Sequence, residues 1–414
     1  MNIVVYNLGC KVNQYECDSL VLRLREQGHT VSEDLQPADV YILNTCAVTN
    51  EAERKSRQCV ERCRKLNPDA QVFVMGCASQ NNPTQFADKP GVVHVSGVAH
   101  KMQTAQLSCD GTVVDELPKQ YEDEYFAAHA RTRAYVKVQD GCNNFCTYCL
   151  IPYLRGRSRS RALDAVVAEC KVQASQCKEI VLTGIDLSSY GKEIGLSLAQ
   201  LLEALADLPC RVRLGSLEVN VVDTRLLDAT QRLQAFCPQF HLSMQSGADA
   251  TLRAMNRHYT TREYAEKVAL IRRYYPDAAI TTDWICGFPT ETEEDFCASM
   301  EFVRSIGFAQ MHVFGYSPRK GTVAARLYQP LDGSILRDRC ARAGQLAEEL
   351  RVAYCNRFVG KSVQVLTEQQ EGDYVVGYSR EYLRVALPPD TPTDTLVQAR
   401  VVGIEGAYVL AVRE

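Results

Sequence analysis

Residues 141–149 read GCNNFCTYC, which sets Cys142, Cys146 and Cys149 within eight residues. Three thiolates at this spacing make a poor zinc site, because structural zinc takes four ligands and no neighbouring histidine completes the set. They suit a 4Fe-4S cluster that leaves one iron without a protein ligand. The amine and carboxylate of an amino acid can chelate that open iron. S-adenosylmethionine carries both beside a sulfonium, and an electron from the cluster can cleave its C–S bond to release a 5′-deoxyadenosyl radical. A second trio is spread along the chain: Cys10, Cys46 and Cys77 each follow a short apolar run, NIVVYNL, DVYILNT and QVFVMG. In a parallel sheet the carboxyl ends of these runs share one edge, where open α/β sheets bind ligands. A second open cluster there would be available to exogenous sulfur, with one centre making the radical and the other presenting the sulfur. Of the 18 cysteines, others such as Cys17, Cys59, Cys170, Cys210, Cys297 and Cys355 fall in or near helical patterns and read as small packing residues.

The elements that must position these thiols follow from periodicity. Over residues 1–100, three apolar runs alternate with the amphipathic stretches ECDSLVLRLREQG and NEAERKSRQCVERCRKLN. This βαβαβ order predicts a three-layer parallel α/β domain. Residues 101–130 read as an acidic and aromatic connector with a boundary near residue 130. Beyond it, AYVKVQ, EIVLTG, VRLGSLE, HLSMQSG, AITTDWICGFP and MHVFGYS are separated by long helical stretches. Six strand–helix units predict a partial (β/α)6 barrel, whose reactive groups belong in loops at the strands' carboxyl ends. GCNNFCTYC follows the first of these strands. After a closing helix, five short strand patterns punctuated by Gly372, Pro388, Pro389 and Gly406 predict a small antiparallel β-barrel. The expected domains are residues 1–120, 131–357 and 358–414.

The chain has 414 residues, enough for two or three domains, and a formal net charge of −4, so RNA binding requires a local basic surface. No apolar run reaches the roughly 20 residues of a membrane span, and the N-terminus has no signal-peptide pattern, so a cytoplasmic location is expected.

The CxxxCxxC spacing is the signature of the radical S-adenosylmethionine superfamily. Within it, NLGCKVNQYECDS, NTCAVTNEAERKSRQ and MGCASQ resemble the three N-terminal cluster segments of the methylthiotransferases, and GCNNFCTYCLIPYLRGRSRSR resembles their radical segment. EIVLTGID, LGSLE, HLSMQSG, ICGFPTETEEDF and HVFGYSPRKGT also have counterparts there, and the C-terminal barrel resembles a TRAM domain. GCKVNQYE and GCNNFC resemble the branch that modifies N6-threonylcarbamoyladenosine in tRNA. The isopentenyladenosine branch more often has a GCQMN-like first segment, and the ribosomal-protein branch usually differs there too. Asn7 stands where Thr is common, and MGCASQ replaces the more usual TGCYAQ, so an aromatic near Cys77 is missing.

The resemblance implies two 4Fe-4S clusters, one on Cys10, Cys46 and Cys77 and one on Cys142, Cys146 and Cys149, and two S-adenosylmethionine molecules per turnover. One donates methyl to sulfur on the N-terminal cluster. The other yields the radical that takes hydrogen from carbon 2 of the modified adenosine, where a methylthio group replaces it. The implied partners are a tRNA anticodon stem-loop and an electron donor such as flavodoxin or ferredoxin, with no membrane and a monomeric enzyme. The alternatives are action on isopentenyladenosine in tRNA, action on an aspartate of a ribosomal protein, or a non-enzymatic iron–sulfur sensor or scaffold.

By analogy with the family, Tyr148 lies against the adenine of S-adenosylmethionine. Ser216 and Glu218 fit its ribose and amino group, with Thr183, Gly184 and Gln245 placed similarly. Gly184 would let the backbone approach the cosubstrate closely. Arg155, Arg157, Arg159 and Arg161 follow the radical cluster and suit the phosphates of an RNA loop. Tyr378, Tyr382 and Arg384 in the small barrel offer stacking and charge. Thr290 and Glu293 have capping-box spacing.

Overall fold

The computed structural model describes residues 1–114, 116–123, 126 and 132–414. The expected boundary at residues 130–131 lies outside the described residues. The N-terminal sheet contains β1 (Asn2–Asn7), β2 (Thr30–Ser32), β3 (Val40–Thr45), β4 (Gln71–Gly76), β5 (Val92–Ser96) and β6 (Gly111–Val113). Its order is β2-β1-β3-β4-β5-β6, and every pairing is parallel. Alternate side chains of the central strands face opposite layers. Ile3, Val5, Ile42 and Phe73 pack with Cys17, Leu20 and Leu24 of the helix Lys11–Glu26. Val4, Tyr41, Leu43, Val72 and Val74 pack with Cys59, Val60 and Cys63 of the helix Asn50–Leu66. The three strands read from sequence are the central ones. The short β2 and the peripheral β5 and β6 extend the sheet.

The central region begins with β7 (Arg133–Asp140), joined antiparallel to the two-residue β8 (Arg159–Ser160). It continues with β9 (Glu179–Gly184), β10 (Arg211–Leu214), β11 (Ser216–Leu217), β12 (Gln239–Leu242), β13 (Ala279–Cys286) and β14 (Gln310–Gly315). The expected third strand, VRLGSLE, is split at Gly215, so the half barrel is two four-stranded sheets, β10-β9-β7-β8 and β11-β12-β13-β14. Val136, Val138, Ile180, Leu182, Val212, Leu214, Phe240 and Leu242 join the surrounding helices in one large core. The alternate residues, among them Arg133, Lys137, Glu179, Thr183 and Arg213, therefore face the concave side. The helix Glu293–Ile306 starts with a capping box of Thr292 and Asp295, two residues beyond the expected Thr290 and Glu293.

The long helix Gly333–Asn356 leads into a closed barrel of β15 (Ser362–Glu371), β16 (Tyr374–Ser379), β17 (Arg384–Leu387), β18 (Leu396–Glu405) and β19 (Tyr408–Arg413). All its pairings are antiparallel except the β17–β19 seam, which is parallel. This barrel docks at the amino ends of β9 and β10. Arg211 Nη2 donates to the Gln364 carbonyl at 2.6 Å, and Arg213 Nη2 to the Ser379 carbonyl at 3.1 Å.

The docking arginines are themselves held by Glu179, which is fully buried. Its carboxylate accepts from Arg133 Nε at 2.6 Å and Arg213 Nε at 2.9 Å. Burial alone would raise its pKa, but Arg213, Arg133 and Arg211 bring it down to about 2 from an ordinary 4.5. A depressed folded-state pKa gives stability that is complete above about 4.5 and is lost as pH falls toward about 2. Glu179→Gln should therefore cost about 3–5 kcal/mol near neutrality, because it leaves buried guanidiniums uncompensated. It should also flatten the acid limb of the stability curve in that window, as read by denaturant melts at stepped pH.

Candidate active site

The loop after β7 is stitched down by residues that carry no charge. Buried Gln139 donates through Nε2 to the carbonyls of Asp140 (2.9 Å) and Gly141 (2.7 Å) and to Ser158 Oγ (3.0 Å). Its Oε1 accepts from the Asp186 backbone N–H at 2.8 Å. Asn256 Nδ2 donates to the carbonyls of Asn144 and Phe145, and the Thr147 N–H donates to the Met255 carbonyl. Within this frame the three thiols receive N–H groups. The Asn144 N–H points at Cys142 Sγ (3.4 Å) and the Ile151 N–H at Cys149 Sγ (3.4 Å). Arg257 Nη1 points at Cys146 Sγ (3.3 Å).

Gly141 explains why a glycine precedes Cys142. Its φ is +71°, and a Cβ there would overlap the Arg157 carbonyl oxygen. Gly141→Ala should push the loop off this support and lower the iron bound at the Cys142 site. Iron assay of the anaerobically reconstituted variant checks this.

The N-terminal thiols stand where β1, β3 and β4 end. Cys10 caps the helix Lys11–Glu26, Cys46 directly follows β3, and Cys77 opens the helix Cys77–Asn81. Gly76 holds φ at +106°, and a Cβ there would sit 2.5 Å from Asn44 Oδ1. Behind the thiols lies a buried polar lattice. Asn13 Nδ2 donates to Asn44 Oδ1 (2.8 Å), and Asn44 Nδ2 donates to Glu16 Oε2 (3.1 Å). Glu16 also pairs with Lys101, with Lys137 Nζ at 3.3 Å and with Arg155 Nη1 at 3.0 Å. Burial would raise the Glu16 pKa, yet Arg155, Lys101 and Lys137 hold its carboxyl far below the usual range.

Arg155 reaches the N-terminal thiols from the segment that follows the radical loop. It ends the short helix Ile151–Arg155, which starts two residues after Cys149, and it is fully buried. Its Nε donates to Cys77 Sγ at 3.3 Å, its Nη1 to both Asp140 carboxylate oxygens at 3.2 Å, and its Nη2 to Asn13 Oδ1 at 3.0 Å.

Three of the four arginines expected to meet RNA phosphates are therefore corrected. Arg155 is spent on Glu16, Asp140 and Cys77. Arg159 is buried and donates through Nη1 to the carbonyls of Arg155 and Arg157. Arg161 is buried between Glu169 and Asp123. Arg157 alone of the four is exposed, with its guanidinium 4.4 Å above the Phe145 ring. In the small barrel, Tyr378 and Tyr382 stack on each other with centroids 5.1 Å apart, beneath Arg133 and Arg213. Arg384 is bonded to Glu371 at 2.6 and 2.9 Å. Each of these three side chains thus has partners inside the protein.

Beside the radical loop, a cavity of about 200 Å³ is lined by Asn144, Asp186, Ser188, Glu218, Asn256 and Arg257, among others. Ser189 Oγ donates to Asp186 Oδ2 at 2.5 Å, and the Glu218 N–H donates to Ser188 Oγ at 2.7 Å. Glu218 is paired with Arg257; burial pushes its carboxyl above the usual range and the guanidinium opposes that rise. Of the residues expected around the cosubstrate, Glu218 lines this cavity, whereas Thr183, Gly184, Ser216, Gln245 and Tyr148 lie outside its lining. The space beside Gly184 is filled by Gln139, not left open for a ligand. Tyr148 packs edge-on to Phe288 in the apolar cluster of Met255, Tyr316 and Ala324. Asp186 and Ser188 lie in the loop just after LTG, so their position beyond the strand end was a usable signal. Arg257 follows a helix and had none.

Among the described residues, no three His, Cys, Asp or Glu side chains converge tightly enough for a single metal ion. The donor chemistry fits iron–sulfur ligation, since both sets are all thiol, each thiol of the radical loop receives an N–H at sulfur, and Cys77 receives one from Arg155. As free thiols, Cys142 and Cys149 are pushed by burial up to about 12, and Cys46 to about 11. Cluster uptake must therefore displace protons from them.

A half barrel with a CxxxCxxC loop at the carboxyl end of its first strand defines a radical S-adenosylmethionine enzyme, and the Radical SAM superfamily matches residues 136–303. Residues 2–97 match the Uncharacterized protein family UPF0004. The radical S-adenosylmethionine methyltransferase TsrM from Kitasatospora setae, solved with cobalamin and a 4Fe-4S cluster bound, has a TM-score of 0.55. The match covers 77% of this chain and 73% of that one at 16% identity, which shows a shared fold. The threonylcarbamoyladenosine tRNA methylthiotransferase MtaB of Bacillus subtilis is 33% identical over 92% of this chain and 89% of its own. The enzyme of the same name from Aquifex aeolicus is 36% identical over 89% of this chain and 93% of its own. The chain belongs to the radical S-adenosylmethionine methylthiotransferase family, and 4Fe-4S clusters and S-adenosylmethionine come with that membership.

Proposed function

We propose that this enzyme inserts a methylthio group at carbon 2 of N6-threonylcarbamoyladenosine, the modified nucleoside 3′ to the anticodon of its tRNA. The observation that carries this reading is the pair of three-thiol sets, with Arg155, from the helix that follows Cys149, donating to Cys77 of the other set. Cys142, Cys146 and Cys149 would hold the cluster that supplies an electron to S-adenosylmethionine, and Cys10, Cys46 and Cys77 the one that supplies a sulfur site.

The chain's own residues do the positioning. Asp186, Ser188 and Glu218 offer acceptors to the cosubstrate's amino group and ribose in the cavity beside the radical loop. Arg257 fixes the Glu218 carboxylate and reaches Cys146, so cosubstrate binding and the radical loop share one guanidinium. Exposed Arg157 beside that loop is free to meet an RNA phosphate, and the anticodon stem-loop is the partner we assign. No helix among the described residues is long and apolar enough to cross a membrane. A cytoplasmic, monomeric enzyme supplied with electrons by a flavodoxin or ferredoxin fits a tRNA substrate.

The test is anaerobic turnover of the reconstituted enzyme with reductant, S-adenosylmethionine and tRNA bearing N6-threonylcarbamoyladenosine, followed by nucleoside mass spectrometry. The 2-methylthio nucleoside is expected. Product from isopentenyladenosine-bearing tRNA or from a ribosomal protein, with none from this tRNA, would overturn the reading.

A further inference from the structure

The concave wall of the half barrel carries a row of rings that the cavity beside the radical loop does not use. On β12, β13 and β14, Phe240, Leu242, Ile280, Trp284 and Met311 belong to the core, so their alternate neighbours face the other way. Register puts His241 beside Thr281, Asp283 beside His312, and Ile285 beside Phe314. Three rings follow one another across this face. The His241 and His312 centroids are 6.2 Å apart with planes 40° apart, and those of His312 and Phe314 are 6.4 Å apart with planes 34° apart. The His241 ring is held at its edge, with Nδ1 3.1 Å from Thr281 Oγ1 and Nε2 3.4 Å from Asp283 Oδ2. His312 is exposed, and Phe314 is 45% exposed, a large apolar ring that the fold leaves uncovered.

The row ends between the two thiol sets. Ile285, the cross-strand neighbour of Phe314, packs in the apolar cluster that also takes Tyr148 of the radical loop. Directly after β14, Ser317 Oγ accepts from the Asn50 N–H at 3.4 Å, and the Pro318 carbonyl accepts from Asn50 Nδ2 at 3.0 Å. Asn50 lies four residues beyond Cys46. A base that gives up hydrogen to one side and takes sulfur from the other must lie between these two places. Such a base has left its stack in the RNA loop, and an aromatic ring replaces the neighbours it has lost.

We propose that Phe314 stacks on the adenine that receives the methylthio group and His312 on the adjoining base of the loop, so that the face of β12–β14 holds the substrate's bases. This inference rests on the tRNA substrate proposed above. It makes Phe314 and His312 positioning residues, which act by contact with the base face and need no charge.

Fluorescence anisotropy with the cluster-loaded enzyme would compare two anticodon stem-loops, one carrying N6-threonylcarbamoyladenosine and one abasic at that position. Phe314→Ala should weaken binding of the first loop by about ten-fold, the scale of one base–ring stack, and leave the abasic loop unchanged. A general disturbance of the fold would weaken both loops alike. Phe314→Tyr, which keeps the ring, should bind both loops as the wild type does. Equal weakening of both loops by Phe314→Ala, an unchanged affinity for the first loop, or a Phe314→Tyr variant as weak as Phe314→Ala would each overturn the proposal. A wild type that binds neither loop would overturn the tRNA reading itself, and this inference with it.

Discussion

Replacing Cys10, Cys46 and Cys77 together with alanine should abolish methylthio insertion while leaving S-adenosylmethionine cleavage intact. The radical loop does not lean on these thiols. Its supports are Gln139, Asn256 and the Thr147–Met255 bond, all within the half barrel. Arg155 would lose one sulfur contact but keep Glu16, Asp140 and Asn13, so no buried charge is stranded. Reduced enzyme should still release 5′-deoxyadenosine, measured by chromatography, with no 2-methylthio nucleoside in the same reaction. The corresponding alanine variant of Cys142, Cys146 and Cys149 should lose both products. Persistent methylthiolation in the first variant would show that sulfur is delivered from elsewhere.

Arg155→Met should destabilise the protein by about 3 kcal/mol, because it removes the cation from a buried carboxylate pair. The figure sits at the low end of the range for a broken buried pair. Lys101 and Lys137 remain on Glu16, and Lys137 and Arg159 remain near Asp140. A loss of that size is a large fraction of ordinary domain stability. It is read as a shift in the denaturant midpoint of the metal-free protein. Arg155→Lys keeps the charge but not the fork that reaches Cys77, Asp140 and Asn13 at once, so it should fall between. The electron paramagnetic resonance signal of a cluster on the N-terminal thiols should change in Arg155→Met, because the N–H bond to Cys77 Sγ is lost. An unchanged signal and midpoint would mean that Arg155 is not the link described here.

Much of this layout is legible from local pattern. Cys10, Cys46 and Cys77 were readable as a set because each follows an apolar run, and parallel topology puts such ends on one edge. The six barrel strands were readable for the same reason, although the break at Gly215 depends on how the third strand meets its neighbours. The arginine run was misleading because its partners are remote: Glu16 lies 139 residues from Arg155 in sequence. Charge density alone does not distinguish a solvated loop from a buried ion network. Gln139 and Arg257 were missed because their roles come from what they reach across the fold, not from any spacing.

The proposal that each thiol set holds its own cluster is tested most directly by counting iron and acid-labile sulfide in anaerobically reconstituted protein. The wild type should hold about eight irons per chain, as two cubanes require, and each triple-cysteine variant about four. A wild type saturating at about four irons, or a variant of Cys10, Cys46 and Cys77 that still holds about eight, would contradict the account.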